Sequence, residues 1–398
     1  MMRARAIAAG CCVWLLALAS HPQVIGGQSR ELRAGDPLPG LTPREAEEFR
    51  LGQEDFTEVE TSEEGLGPAF NGTSCAVCHN LPAIGGAGIV LETRAGYKDA
   101  DGNFRGLNDE GDTLIHLFST PTHNCQPVMP DDVTVIARRA PIPLFGAGLV
   151  EAIADDTLLA LEDPLDRNRD GISGRAAMIV DVATGDRRVG RFGWKAQHAT
   201  LLAFGADAYR NEMGITNDLF PNESLFGVDQ QRLRDCDRRP DPEDARERST
   251  GKRGIDNFES FMRFLAPAGR GPLDETTRDG ERVFAAIGCT ACHMPVLSTG
   301  ANANPLFDRR PVPLFSDLLL HDIGSGDGIR QGAAEAQEIR TPALWGLRLR
   351  RPLMHDGGSA TIDDAIGRHR NEAELARRGF ERLSAEDRQR LLAFLRSL

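Results

Sequence analysis

Cys75-Ala76-Val77-Cys78-His79 and Cys289-Thr290-Ala291-Cys292-His293 are the two stretches that decide how this chain is read. Each sets two thiols three positions apart with a histidine immediately behind. Thiols at that spacing reach the two vinyl groups of one haem and form thioethers, and the adjacent imidazole then lies under the iron as its proximal ligand. A thioredoxin-like dithiol needs neither the following histidine nor a second copy. A zinc site needs four converging ligands, and these pairs stand far apart in the chain. The motifs therefore predict two covalently bound haem c groups, ligated through His79 and His293.

The other cysteines fit around those four. Cys11 and Cys12 lie in an apolar run, Ala6–Ala19, that follows Arg3 and Arg5 and ends in Ala17-Leu18-Ala19. Basic start, apolar run and small-x-small end are the layout of a signal peptide over residues 1–19. The alternative is a short membrane anchor, but the run falls short of the ~20 residues that span a bilayer, and no later segment is apolar enough. Export, to the periplasm or a similar compartment, fits haem attachment. In an oxidising compartment Cys125 and Cys236 are expected to form one disulfide, with two separate buried thiols as the alternative. The chain's 398 residues, 40% hydrophobic and 26% charged, suit a soluble protein with room for two domains. A net charge of −13 argues against nucleic acid as a partner, since phosphates call for a basic face.

The flanking segments indicate how the haems are housed. Thr42, Pro43 and Glu45 make a capping box with proline in the first turn, predicting a helix over 42–54. Val283, Phe284 and Ile287 share one helical face just ahead of Cys289. Ser384 and Asp387 start a last helix whose stripe is Leu391, Leu392, Leu395 and Leu398. A helix before the motif and an amphipathic helix at the end close a small cytochrome c domain over its haem. The expected fold is mainly α. An N-terminal haem domain over 30–231 is enlarged by loops and short β-hairpins near 87–92, 113–118 and 178–182. A charged linker over 232–254 and a C-terminal cytochrome c-like domain over 255–398 complete the chain. Asp166, Asn168 and Asp170, ahead of Gly171, alternate like the oxygen ligands of a calcium loop. Ala177 stands where that loop needs a glutamate, and Asp181 replaces it only if the chain folds back; an Asp/Asn-rich turn is the alternative.

Four longer strings add a resemblance: GPAFNGTSCAVCHNLPAIGG from Gly67, FGWKAQHATLLAFGADAYRNEMGIT from Phe192, LFSDLLLHDIGSG from Leu314 and RTPALWGLRLRRPLMHDGGSATIDDAI from Arg340. In this order, over roughly residues 40–398, they resemble the di-haem oxidoreductase family of the bacterial di-haem cytochrome c peroxidase superfamily, which includes peroxidases and thiol oxidoreductases. The resemblance implies a six-coordinate C-terminal haem that accepts electrons and an N-terminal haem with an open side for peroxide. It also implies an acid/base group there that moves a proton from one peroxide oxygen to the departing water. The superfamily's glutamate follows a tryptophan-containing string; the similar pair here is Phe192-Gly193-Trp194-Lys195-Ala196 and Asn211-Glu212-Met213-Gly214, which points to Glu212. An ordinary helix-end carboxylate is the other reading.

By the same resemblance Trp194 either relays electrons between haems or packs the core, and Met213 either ligates iron or lines a pocket. His198 is a pocket group or a satisfied polar histidine. His321 and His355 are expected to bond propionates or loops, and Arg340 to pair with a propionate. His116, His123 and His369 lack motif support and are expected to be structural or exposed. One departure stands out. The peroxidases take the sixth ligand of the C-terminal iron from a Met or Tyr just before a P-T-L-R-N string, and Gln337-Glu338-Ile339-Arg340-Thr341-Pro342 offers neither. Met294, Met354, His321 or a residue of the first domain is left to supply it. The implied activity is peroxide reduction with electrons from a small cytochrome or cupredoxin; a di-haem electron carrier, or an oxidoreductase acting on thiols or protein side chains, are the alternatives. The acidic chain calls for a donor with a basic face.

Overall fold

In chain order the helices are α1 (Pro43–Thr57), α2 (Cys75–Cys78), α3 (Ala147–Glu151), α4 (Asp155–Leu159), α5 (Leu201–Met213), α6 (Gly254–Phe264), α7 (Glu275–Ala286), α8 (Ile362–Gly367), α9 (Glu374–Glu381) and α10 (Ala385–Leu395). They belong to a computed structural model that describes residues 32–108, 111–120, 125–225, 233, 235–237 and 239–398. The expected signal peptide, His123 and part of the expected linker lie outside those residues. Local chemistry sets the helix starts. Thr42 accepts the Glu45 N–H while the Glu45 carboxylate accepts the Thr42 N–H, so the capping box opens α1 as its letters predict. Ser384 accepts the Asp387 N–H and opens α10 in the same way.

Two helix crossings build two similar cups. α1 packs on α6 where Gly52 has no side chain; a Cβ there would collide with the Asn257 carbonyl oxygen. That approach seats Phe56 against Phe261 at 4.8 Å, with the Phe56 ring 6.2 Å from the His79 ring. The second crossing repeats the device. α7 packs on α10 at Gly280, whose Cβ would collide with the Arg390 carbonyl oxygen. Phe284 then meets Phe394 at 5.3 Å and stands 6.3 Å from His293. In both helices the phenylalanine follows its glycine by one turn.

α6 begins at Gly254, the last residue of the expected linker, and runs into the stretch expected to open the C-terminal domain. It instead buries Ile255, Phe258, Phe261, Met262 and Phe264 in the larger core with Phe49, Phe56, Leu201 and Tyr209. It closes the first cup. The smaller core, with Phe284, Phe315, Leu391, Phe394 and Leu395, belongs to the second. Residues 32–398 pack as one unit.

The insertion between the cups carries the predicted hairpins, slightly displaced. Strand β1 (Glu92–Lys98) pairs antiparallel with β2 (Phe104–Arg105), β3 (Leu114–Ile115) and β4 (Val135–Arg139). β5 (Ala177–Val180) and β6 (Arg187–Gly190) form a separate hairpin. The β1–β4 register sets Glu92 opposite Arg139 and Arg94 opposite Ala137. Helix holds for the cups, but most of the remaining chain is loop, so the mainly α expectation does not describe the whole. The 42 Gly and 23 Pro punctuate helices throughout. Cys125 and Cys236 form a disulfide with a Cα–Cα distance of 5.9 Å. Among the described residues no helix is long and apolar enough to cross a membrane.

Candidate haem sites

Each Cys-x-x-Cys-His motif opens onto its own cavity. In the first, Ser74 caps the single turn of α2 by accepting the Ala76 N–H at 3.2 Å. His79 comes directly after it, and its Nδ1–H donates to the Gly86 carbonyl at 2.9 Å. That bond fixes the tautomer and leaves Nε2 as the lone-pair nitrogen. Burial holds the ring below its ordinary pKa, in the neutral form an iron ligand requires. His79, Cys75, Cys78, Phe56 and Met262 line a cavity of about 160 Å³.

The polar wall of this cavity comes from α5 and the sheet. Glu212 sits near the C-terminal end of α5. Its carboxyl accepts the Asn71 Nδ2–H at 2.7 Å, and its backbone carbonyl accepts the Asn71 and Gly72 N–H groups. These bonds tie the end of α5 to the loop just before the first motif. Glu92 and Arg94, two residues apart on β1, share one face, and Arg139 on β4 lies opposite Glu92; all three line the cavity. Arg94 holds both Glu92 oxygens, at 2.7 and 3.0 Å, and Arg139 lies 3.9 Å away. Burial alone would raise the Glu92 pKa, but the two guanidinium groups outweigh it and hold the carboxyl ionised. Burial, and then the negative charge of Glu92, push the Glu212 carboxyl well above its ordinary value. The two carboxyls are thus pushed apart, Glu212 toward holding a proton and Glu92 toward losing it.

The second cavity, about 410 Å³, is lined by Cys289, Cys292, His293, Phe284, Leu353, Ile362, Ile366 and Leu395. The His293 Nδ1–H donates to the Phe315 carbonyl at 3.1 Å, as His79 does to Gly86. Three arginines line this largely apolar wall; Arg377 is paired with Glu374, and among the described residues Arg340 and Arg350 are not. Arg340 donates from Nε to the Gly193 carbonyl at 2.8 Å. Arg350 lies 5.0 Å over the Trp194 ring, and its Nε is buried without a partner. Burial lowers each to about 10, and among the described residues neither has a carboxylate partner in an ion pair. Buried charges are ordinarily paired, so this wall calls for an anion.

Trp194 lines both cavities. Its Nε1–H donates to the Ala140 carbonyl at 2.8 Å, and His355 stands edge-on to its ring at 6.0 Å.

The other predicted residues divide between the cavities and the surrounding packing. Met213 lines the first cavity. His198 does not; its Nε2 bonds Asp207 at 3.0 Å, the satisfied-polar reading. His116 bonds the Asn211 carbonyl. His321 lines the second cavity but is clamped, Nε2 to Asp317 at 2.9 Å and Nδ1 to Glu372 at 2.8 Å. Met354 and His355 line the second cavity, and so does His369, which the sequence marked as structural or exposed. In the segment read as a calcium loop, Asp166 accepts the Gly171 N–H, Asn168 that of Asp170, and Asp170 that of Ile172. Asp181 bonds Thr184 and Thr200.

Glu92, Arg94, Arg139 and Arg350 were not read from the sequence. Their placement depends on strand register and on burial of residues whose default is the surface. Arg139 also has a buried Nη2 without a partner, beside its bonds to Asp327 and Gln331. Both cavities therefore combine two cysteines, an oriented histidine, apolar walls and an orphaned guanidinium nitrogen that a propionate would complete. The residues present fit two haems.

Comparison with known proteins agrees with that fit. Residues 118–398 match the family described as "Di-haem oxidoreductase, putative peroxidase". No curated protein matches the chain. Among solved structures, hydrazine synthase from Kuenenia stuttgartiensis aligns at 16% identity over 98% of this chain and 100% of its own, with a TM-score of 0.42. A MauG-like protein associated with microbial copper homeostasis aligns at 17% over 71% of this chain and 95% of its own, TM-score 0.33. The diheme peroxidase BthA from Burkholderia thailandensis aligns at 16% over 52% of this chain and 65% of its own, TM-score 0.32. Likenesses this remote carry no functional argument; the family match, which spans most of the chain, does.

Proposed function

The chain belongs to the di-haem oxidoreductase family, and from that premise we propose that it is an exported c-type enzyme that reduces peroxide in its N-terminal cavity, with electrons entering through the C-terminal one. Cys75 and Cys78, and Cys289 and Cys292, would hold the haems as thioethers, and His79 and His293 would ligate the irons. Haem bound there supplies the redox centre at which peroxide is reduced.

The observation that carries the reading is the carboxyl pair in the cavity of His79, where burial and the charge of Glu92 raise the Glu212 pKa. Reduction of one peroxide to two waters takes two electrons and two protons. A carboxyl whose pKa has been raised toward neutrality can both give a proton to the departing oxygen and take one from the other. Asn71 orients that carboxyl by its 2.7 Å bond. Arg340 and Arg350 in one cavity, and Arg139 in the other, would pair with propionates. Trp194 lines both cavities, which suits it to pass electrons between them. The donor is a small cytochrome or cupredoxin with a basic face, matching the chain's charge of −13. The apolar leader at residues 1–19 delivers the chain to the compartment where haem c is attached and where Cys125 and Cys236 oxidise.

Glu212→Gln tests the assignment, since it keeps the shape and the Asn71 bond but removes the proton. Steady-state peroxide turnover is expected to fall by roughly 10²–10⁴, with two haems still attached. Turnover equal to that of the parent enzyme overturns the assignment.

A further inference from the structure

We propose that His369 is the second axial ligand of the C-terminal iron, so that this haem is held between two histidines, His293 and His369. The inference rests on the di-haem reading and supplies the ligand that the sequence left unassigned.

His369 lies just past the C-terminal end of α8 and lines the same cavity as His293. Its Nδ1–H donates to the Ala365 carbonyl at 2.8 Å. That repeats the pattern of the two proximal histidines, each of which donates Nδ1–H to a backbone carbonyl. A histidine that binds metal through one nitrogen ordinarily donates the other ring N–H to a carbonyl or carboxylate, which fixes the tautomer and the ring direction. In His369 this leaves the Nε2 lone pair for the cavity. The two imidazoles line one and the same cavity.

The competing side chains are less suited. His321 has both ring nitrogens committed to carboxylates, Asp317 and Glu372, and no lone pair to offer. Met294 does not line the cavity. Met354 and His355 line it and are the remaining competitors, His355 with its ring edge-on to Trp194 at 6.0 Å. Among the described residues no second histidine lines the N-terminal cavity, where the carboxyl pair supplies the polar wall. The asymmetry divides the work. Two nitrogen ligands close the C-terminal iron to peroxide and hold its potential below that of a Met/His pair, leaving it as the entry point for electrons.

The test uses the oxidised full-length holoprotein. Intact mass and haem absorbance under denaturing conditions first count the haems; fewer than two would sink the di-haem reading itself, separately from the ligand assignment. With two haems present, electron paramagnetic resonance and near-infrared magnetic circular dichroism are expected to show one low-spin haem with two nitrogen ligands. His369→Ala is expected to convert that haem to high spin, and added imidazole to restore it. His369→Met is expected to keep it six-coordinate and raise its midpoint potential. A sulfur-to-iron band in the parent protein that disappears in Met354→Ala overturns the proposal. So does a low-spin signal unchanged in His369→Ala.

Discussion

Glu92 and Glu212 show how one buried charge sets the chemistry of its neighbour. Arg94 and Arg139 keep Glu92 ionised, and that negative charge, added to burial, holds the proton on Glu212. Glu92→Gln removes the charge but not the burial. The Glu212 pKa is then expected to fall part of the way toward its ordinary value. In the pH profile of kcat/KM, the limb that reports loss of the Glu212 proton therefore moves to lower pH. A limb that stays in place contradicts the coupling. Glu212 itself was legible, because it sits in a string with a counterpart in related peroxidases. Glu92 was not. Its role exists only through the register that puts Arg139 opposite it and through the approach of α5, neither of which leaves a mark in one sequence. His369 was passed over for the same reason: a histidine two residues past a short helix carries no pattern until the cavity places it beside His293.

At the scale of elements, the crossings α1–α6 and α7–α10 depend on a missing side chain. Gly280→Ala drives a methyl group into the Arg390 carbonyl oxygen, a backbone atom that cannot turn aside. Alanine's helix propensity favours the change by up to about 1 kcal/mol. The forced separation of two packed helices costs more, about 1–3 kcal/mol, and also loosens Phe284 against Phe394. Urea unfolding of the variant is expected to show a lower midpoint; a raised midpoint would mean the helices do not approach so closely. The ends of these elements were readable from their caps at Thr42 and Ser384. α6 was not read as a helix, although Ile255, Phe258, Phe261 and Met262 share one face. What it packs against was not legible either, because a charged segment precedes it and the long insertion separates it from α1. The Gly-x-x-x-Phe spacing shared by α1 and α7 is the signal that could have paired the cups.

Across the whole molecule, one chain builds the same cup twice and then makes the two unequal. The first keeps a polar wall with Glu212 and Glu92; the second is larger, and among its histidines His293 and His369 share the same Nδ1 bond to a backbone carbonyl. Trp194 belongs to both walls. The two motifs made the doubling plain from sequence, while the inequality emerges from what the insertion and the last helices bring to each cavity. The central claim is that only the N-terminal iron is open to peroxide. The measurement that tests it most directly is electron paramagnetic resonance of the half-reduced holoprotein, recorded before and immediately after adding one equivalent of peroxide. A high-spin, five-coordinate ferric haem is expected, its signal lost on mixing with peroxide. A ferric haem that is low-spin and unchanged by peroxide would contradict it.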